Sequence, residues 1–177
     1  NLMSHFAPTV VWGYYDTIIH VSPEGKRLGN ENNIHAAGDM ANETGFLYWW
    51  TICDDTLVNG VHAETFRTRE KAGGVVKAET LEELAAKTRI PFEQLKATMD
   101  KYNADAEAGT DTEFKKTTAF RPIKAPFYAV PSTVVRYKTN GGLDINANCE
   151  VMDRGKTPIA NLYAAGACQG QTTPNVN

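Results

Sequence analysis

Thr139-Asn140-Gly141-Gly142-Leu143-Asp144-Ile145-Asn146, followed by Pro158-Ile159-Ala160-Asn161-Leu162-Tyr163-Ala164-Ala165-Gly166, decides the fold of this chain. The first stretch is a glycine pair that releases a short β-branched strand. The second is an apolar strand that runs into a glycine. Glycine at such places lets backbone come close to a neighbour that would collide with a Cβ, and it tolerates unusual dihedrals. A plain turn between strands is the other reading of Gly141-Gly142 alone.

Between the two stretches, Glu150-Val151-Met152 reads as a strand and Asp153-Arg154-Gly155-Lys156 as a tight turn. Upstream, Phe127-Tyr128-Ala129-Val130 and Thr133-Val134-Val135-Arg136-Tyr137 read as two short strands around Pro131. Residues 111–125 are loop-rich, with Lys115, Lys116, Arg121 and Lys124 among apolar residues.

The clearest helical region is 79–107. Thr80 and Glu83 form a capping box, and Leu81, Leu84 and Ala85 share a face. Ile90-Pro91 interrupts this helix, and Pro91 opens the next. There Phe92, Leu95, Met99 and Tyr102 make one packed stripe. Phe46 to Cys53 fits a buried strand that ends at Asp54-Asp55 in a solvent-facing loop. Residues 30–45 read as a polar loop leading into a short helix. Thr17 to Val21, the turn Ser22-Pro23-Glu24-Gly25 and Lys26-Arg27-Leu28 read as a hairpin.

Composition narrows the function classes. The chain has 177 residues, 42% hydrophobic and 22% charged, with a net charge of -3, so no basic surface for nucleic acid is expected. Cys53, Cys149 and Cys168 are odd in number and lack CxxC spacing, so neither a disulfide scaffold nor a zinc site is expected. No apolar run is long enough to span a bilayer. Asn1-Leu2-Met3-Ser4-His5 is neither a signal peptide nor an obvious natural start. With a leader lost upstream, cytoplasmic and exported readings both stand.

The glycine segment and the Leu162-Tyr163-Ala164-Ala165-Gly166 run resemble the flavoprotein subunit family of fumarate reductase and succinate dehydrogenase. That family includes flavocytochrome fumarate reductases, urocanate reductases and 3-ketosteroid dehydrogenases. Val21-Ser22-Pro23-Glu24-Gly25-Lys26-Arg27-Leu28-Gly29-Asn30-Glu31 and Lys124-Ala125-Pro126-Phe127-Tyr128-Ala129 extend the likeness over nearly the whole chain. It implies an α+β fold, with residues 1–127 as the larger part of a capping, substrate-binding domain. Residues 128–177 would be the returning β-rich segment of an FAD-binding domain. The GxGxxG fingerprint that would hold the FAD diphosphate is not in this sequence, so the chain reads as a fragment. Tight FAD binding and turnover are expected of the full-length parent only.

The resemblance also implies site roles. Thr139, Asn140, Gly141 and Gly142 would lie beside the isoalloxazine ring, and Gly166 and Ala167 near the ribityl chain. His35 stands where the family's proton-donating arginine would be. Tyr137 and Lys138 stand where a substrate-holding histidine would be, and Ala167 replaces a flavin-contacting acid. Histidine can give a proton near neutral pH, lysine can pair with an anion, and a tyrosine hydroxyl can bond a carbonyl. A plain loop histidine, an exposed lysine and a packed tyrosine are the simpler alternatives. Trp12, Tyr14, Tyr15, Trp49 and Trp50 are core, or they line a cleft for a substrate flatter than fumarate. The implied activity is hydride transfer between flavin and the carbon–carbon double bond of an unsaturated acid or enone, with an electron donor or acceptor of unspecified kind. A catalytically degenerate binding domain of the same family is the alternative.

Overall fold

The computed structural model describes residues 17–33, 36–60, 63–133 and 142–169. The chain divides into two compact units, Asn1–Val134 and Val135–Asn177.

The first unit is a four-stranded antiparallel sheet with helices packed on it. Its strands are β1 (Ile19–Val21), β2 (Trp49–Asp54), β3 (Val76–Ala78) and β4 (Phe127–Ser132), in the order β1-β2-β4-β3. Register sets Ile52 opposite both Ile19 and Ala129, so one face presents Ile19, Val21, Trp50, Ile52 and Ala129 to the main core. That core is closed by α4 (Leu81–Thr88) and α5 (Phe92–Glu107). The opposite face buries Ile18, Cys53, Tyr128 and Val130 against α2 (Asp55–Val58) and Phe66 of α3 (Ala63–Lys71). With both faces covered, β2 is buried along its whole length, as its near-continuous apolar run demands.

Several elements form where sequence physics puts them. The Thr80 hydroxyl accepts the Glu83 N–H at 3.1 Å and caps α4. The Glu83 carboxylate reaches back to the Glu79 N–H at 2.7 Å, one residue before the position a strict capping box uses. Leu95, Met99 and Tyr102 of the α5 stripe are buried, and Phe92 packs at its margin. Leu95 is fully enclosed. Replacing it with alanine is expected to cost about 2–5 kcal/mol in urea unfolding, through lost burial plus the cavity left behind. A loss below about 1 kcal/mol would mean that α5 does not anchor the core.

The structure corrects three expectations. Phe127–Val130 and the stretch after Pro131 are not separate strands up to Ser132, because β4 runs through Pro131, which pairs with Trp50. Strand β3 pairs only as far as Ala129, so no third strand needs an N–H at Pro131. Residues 134–137 lie outside the described residues. Second, Asp54 does not end β2 in a solvent-facing loop. It is 5% exposed, caps α2 by accepting the Thr56 N–H, and takes two hydrogen bonds from Arg121 at 2.7 and 3.0 Å. Third, Lys26-Arg27-Leu28 returns through a single bridge, Val21 to Arg27, rather than a full strand.

The second unit is a two-stranded antiparallel sheet, β5 (Glu150–Met152) with β6 (Pro158–Tyr163). Ile145 bridges Val151, and a 3₁₀ turn spans Gly166–Cys168. Strand β6 is exposed throughout, including Ile159, Leu162 and Tyr163.

Candidate functional site

In the second unit, the two glycine segments meet. The Leu143 N–H donates to the Cys168 carbonyl at 3.0 Å, and Leu143 bridges Gln169 in parallel. That bond sets Gly142, at the head of one segment, beside the turn that starts at Gly166. Both glycines have positive φ, +157° and +76°. A Cβ added at Gly166 would meet nothing within 4 Å, so that face of the turn is open. Exposed Leu143 and Tyr163 belong to the same unit. Backbone without side chains, beside exposed apolar residues, suits a flat aromatic group. The Cys168 thiol is occupied in donating to the Ala165 carbonyl at 3.0 Å.

Of the residues expected at the site, only Gly142, Gly166 and Ala167 fall among the described residues. His35, Tyr137, Lys138, Thr139, Asn140 and Gly141 lie outside them. Trp49 and Trp50 are each 8% exposed and face opposite sides of the sheet, so both are core.

Sequence reading missed a buried charge cluster in the first unit. Arg27 donates to both carboxylate oxygens of Glu31, at 2.9 and 2.8 Å, and to both of Asp111, at 3.0 and 2.9 Å. Its guanidinium also lies 5.0 Å from the Tyr102 ring centroid and 5.1 Å from that of Phe114. Lys116 is 2% exposed; its Nζ donates to the Ile18 carbonyl at 2.8 Å and lies 3.5 Å from Glu31. Two cations and two anions thus balance in the interior. The one local signal was Arg27 and Glu31 at i, i+4, immediately ahead of His35.

A polar row adjoins this cluster. The His20 Nδ1 is 3.0 Å from the Thr51 hydroxyl, which is 2.8 Å from the Ser132 hydroxyl. The His20 backbone N–H points at Glu31 Oε1, 3.4 Å away.

Asp54, Asp55, Thr56, Arg121 and Lys124 line an open concavity of about 360 Å³. Its carboxylates are already engaged, Asp54 by Arg121 and Asp55 by the Tyr128 hydroxyl at 3.0 Å. None of the expected site residues lines it.

Electrostatics follow from this geometry. Burial alone would raise the Asp111 carboxyl, but the Arg27 hydrogen bond and the N–H groups of Lys116 and Phe114 hold it at about 2. Glu31 is likewise held low against burial by Arg27 and Lys116. Burial lowers His20 to about 4, helped by Lys116 and Arg27 and opposed by Glu31. Burial also lowers Lys116, against the pull of Glu31.

Asp111, Glu31 and His20 act with one sign on stability. The unfolded chain binds protons that the folded one refuses, so stability rises with pH across each window. Stability is expected to be close to flat between about pH 7 and pH 8 and to decline from about pH 6.5, where unfolded histidine protonates. The decline steepens below about pH 4, as Glu31 and Asp111 are forced to protonate. Urea midpoints from pH 8 to pH 3 check this; a midpoint that rises on acidification would contradict it.

Comparison with known proteins agrees with the second unit's geometry. The FAD binding domain family model matches residues 19–176. The chain is 34% identical over 164 residues to NADH:acrylate oxidoreductase of Vibrio harveyi, covering 88% of this chain and 16% of that protein. It is 36% identical over 94 residues to vinyl phenol reductase of Lactiplantibacillus plantarum, covering 52% of this chain and 19% of that protein. Its fold matches the open conformation of a flavocytochrome c3 fumarate reductase with a TM-score of 0.69 at 29% identity, covering 86% of this chain and 27% of that one. The chain therefore spans 16% to 27% of the length of these relatives. Among the described residues, no helix is long and apolar enough to cross a membrane. With the family match running from β1 past the Gly166 turn, the chain belongs to the FAD-binding flavoprotein family of the fumarate reductases, whose cofactor is FAD.

Proposed function

We propose that the chain is the capping region and part of the flavin segment of an FAD-dependent oxidoreductase that acts on the carbon–carbon double bond of an unsaturated acid or enone. The observation that carries this reading is the meeting of Gly142 with the Gly166 turn inside a family match of residues 19–176. Backbone from Thr139 to Gly142 and at Gly166 and Ala167 would hold FAD. Bound there, FAD supplies the hydride chemistry. The cap ends near residue 127 and the flavin segment follows it. The described sheet extends this cap as far as Ser132, because β4 pairs with β2 and β3.

The chain's own residues handle the substrate and the proton. His35, four residues after Glu31, donates its imidazole N–H proton to the substrate carbon beside the one that is reduced. Lys138 pairs with the substrate's carboxylate through Nζ, and the Tyr137 hydroxyl donates to its carbonyl or enolate oxygen. The substrate is small; the relatives' names, acrylate and vinyl phenol, span an aliphatic acid and an aryl alkene.

The test is anaerobic. The full-length protein is reduced and then challenged with acrylate, fumarate, urocanate, 4-vinylphenol and cyclohexenone. Re-oxidation by at least one of them is expected. A flavin-replete protein that none re-oxidises would refute the reading. A second reading, a degenerate binding domain, is favoured by one observation: Ala167 stands where the family resemblance calls for an acid.

A further inference from the structure

The row His20–Thr51–Ser132 crosses three strands on one face of the sheet. His20 lies on β1 opposite Thr51 on β2, and Ser132 ends β4 opposite Trp49. Thr51 is fully buried, and His20 and Ser132 are half-buried. The direction of the bonds can be read along the row. Ser132 Oγ donates to the Val130 carbonyl at 3.4 Å, so it accepts from Thr51. Thr51 then has only a lone pair to offer His20, which must carry its proton on Nδ1. One residue on, the Thr133 hydroxyl donates to the Leu47 carbonyl at 2.6 Å. The end of β4 is therefore held by two side-chain bonds, at Ser132 and at Thr133. At the other end of the row, the His20 N–H points at Glu31, in the buried cluster that precedes His35.

None of this is needed for sheet stability alone. Valine or isoleucine would fill the same strand positions on a half-buried face. A threaded set of polar groups, each with one geometry, fixes position rather than burying area.

We propose that His20 is a positioning residue, which through Thr51 and Ser132 fixes the point where the chain leaves β4 toward Tyr137, Lys138 and the Thr139–Gly142 turn. The proposal rests on the reading of that turn as flavin-adjacent. The protonated Nδ1 holds one rotamer of the Thr51 hydroxyl, and that hydroxyl holds Ser132. The charged groups nearest His20 are Glu31, Lys116 and Arg27, and they favour its neutral form on balance with burial.

Amide hydrogen exchange on the full-length FAD-loaded protein tests it, with His20→Leu, His20→Asn and Ser132→Ala. In H20L and S132A, exchange over residues 133–142 is expected to speed up about tenfold, the worth of one lost hydrogen bond, while α5 is unchanged. H20N keeps a donor near the Nδ1 position and is expected to exchange like the wild type. Unchanged exchange at 133–142 in H20L would overturn the proposal. So would equal acceleration in α5, which marks general loosening, or an H20N protein as fast as H20L. Exchange is read without turnover, so a protein that reduces no alkene, the failure of the proposed function, still reports on the role of His20.

Discussion

Replacing Arg27 with methionine is expected to destabilise the first unit by about 3–5 kcal/mol, because it strands two buried carboxylates facing one another. Arg27 is the shared partner of Glu31 and Asp111, and each side chain is 1% exposed or less. Lys116 alone cannot balance both acids; it sits 3.5 Å from Glu31, and its Nζ also serves the Ile18 carbonyl. Asp111 further accepts the N–H groups of Glu113, Phe114 and Lys116, so its ionised form organises the loop 111–116. Losing the guanidinium therefore frees a loop as well as an ion pair. Lysine at position 27 would restore charge but not the two forks, and only part of the loss is expected to return. Urea unfolding followed by tryptophan fluorescence measures the effect. Removing Glu31 and Asp111 charges together with Arg27 should recover much of the stability, since an apolar replacement of a whole buried network is often near neutral. A single R27M variant as stable as wild type would show that the cluster is not what holds β1 and the 111–116 loop together.

The second large effect concerns chemistry. In the full-length protein, His35→Gln is expected to lower alkene reduction by about 10²–10⁴-fold, the usual worth of a positioned general acid. Glutamine keeps the polarity and a similar reach but has no transferable proton near neutral pH. FAD content should be unchanged, because His35 is not among the residues that would hold the cofactor. A loss that also empties the flavin site would assign His35 a structural role. Undiminished turnover would remove it from the site altogether.

Local signals in this sequence translated into structure where one element's own residues decide it. Thr80 with Glu83, and the Leu95, Met99 and Tyr102 stripe, are written within one or two helical turns, and α4 and α5 follow. Helix α3 was not legible because Phe66 is its one residue in a buried cluster, so no stripe repeats along it. Strand β3 is three residues long and is defined by its partner β4 rather than by pattern. Pro131 looked like a strand break, since the absence of a third neighbour there is a tertiary fact. The Arg27–Asp111 pair joins residues 84 apart, and no local rule foretells it.

The site divides in the same way. The Gly142 and Gly166 segments could be picked out because glycine is demanded by backbone geometry, and the fold brings them together. His35, Tyr137 and Lys138 came from family position alone, and their chemistry waits on function rather than on pattern. The His20–Thr51–Ser132 row escaped notice because its members lie on three strands and each looks ordinary in isolation.

Whether the parent protein is a working flavoenzyme is decided by the absorbance spectrum of the full-length protein, purified without added cofactor. A flavin band near about 450 nm is expected, bleached by a reductant and restored by an unsaturated acid or enone. A colourless protein that also takes up no added FAD would contradict the flavoenzyme assignment, leave the degenerate reading standing, and make Ala167 the first residue to restore to an acid.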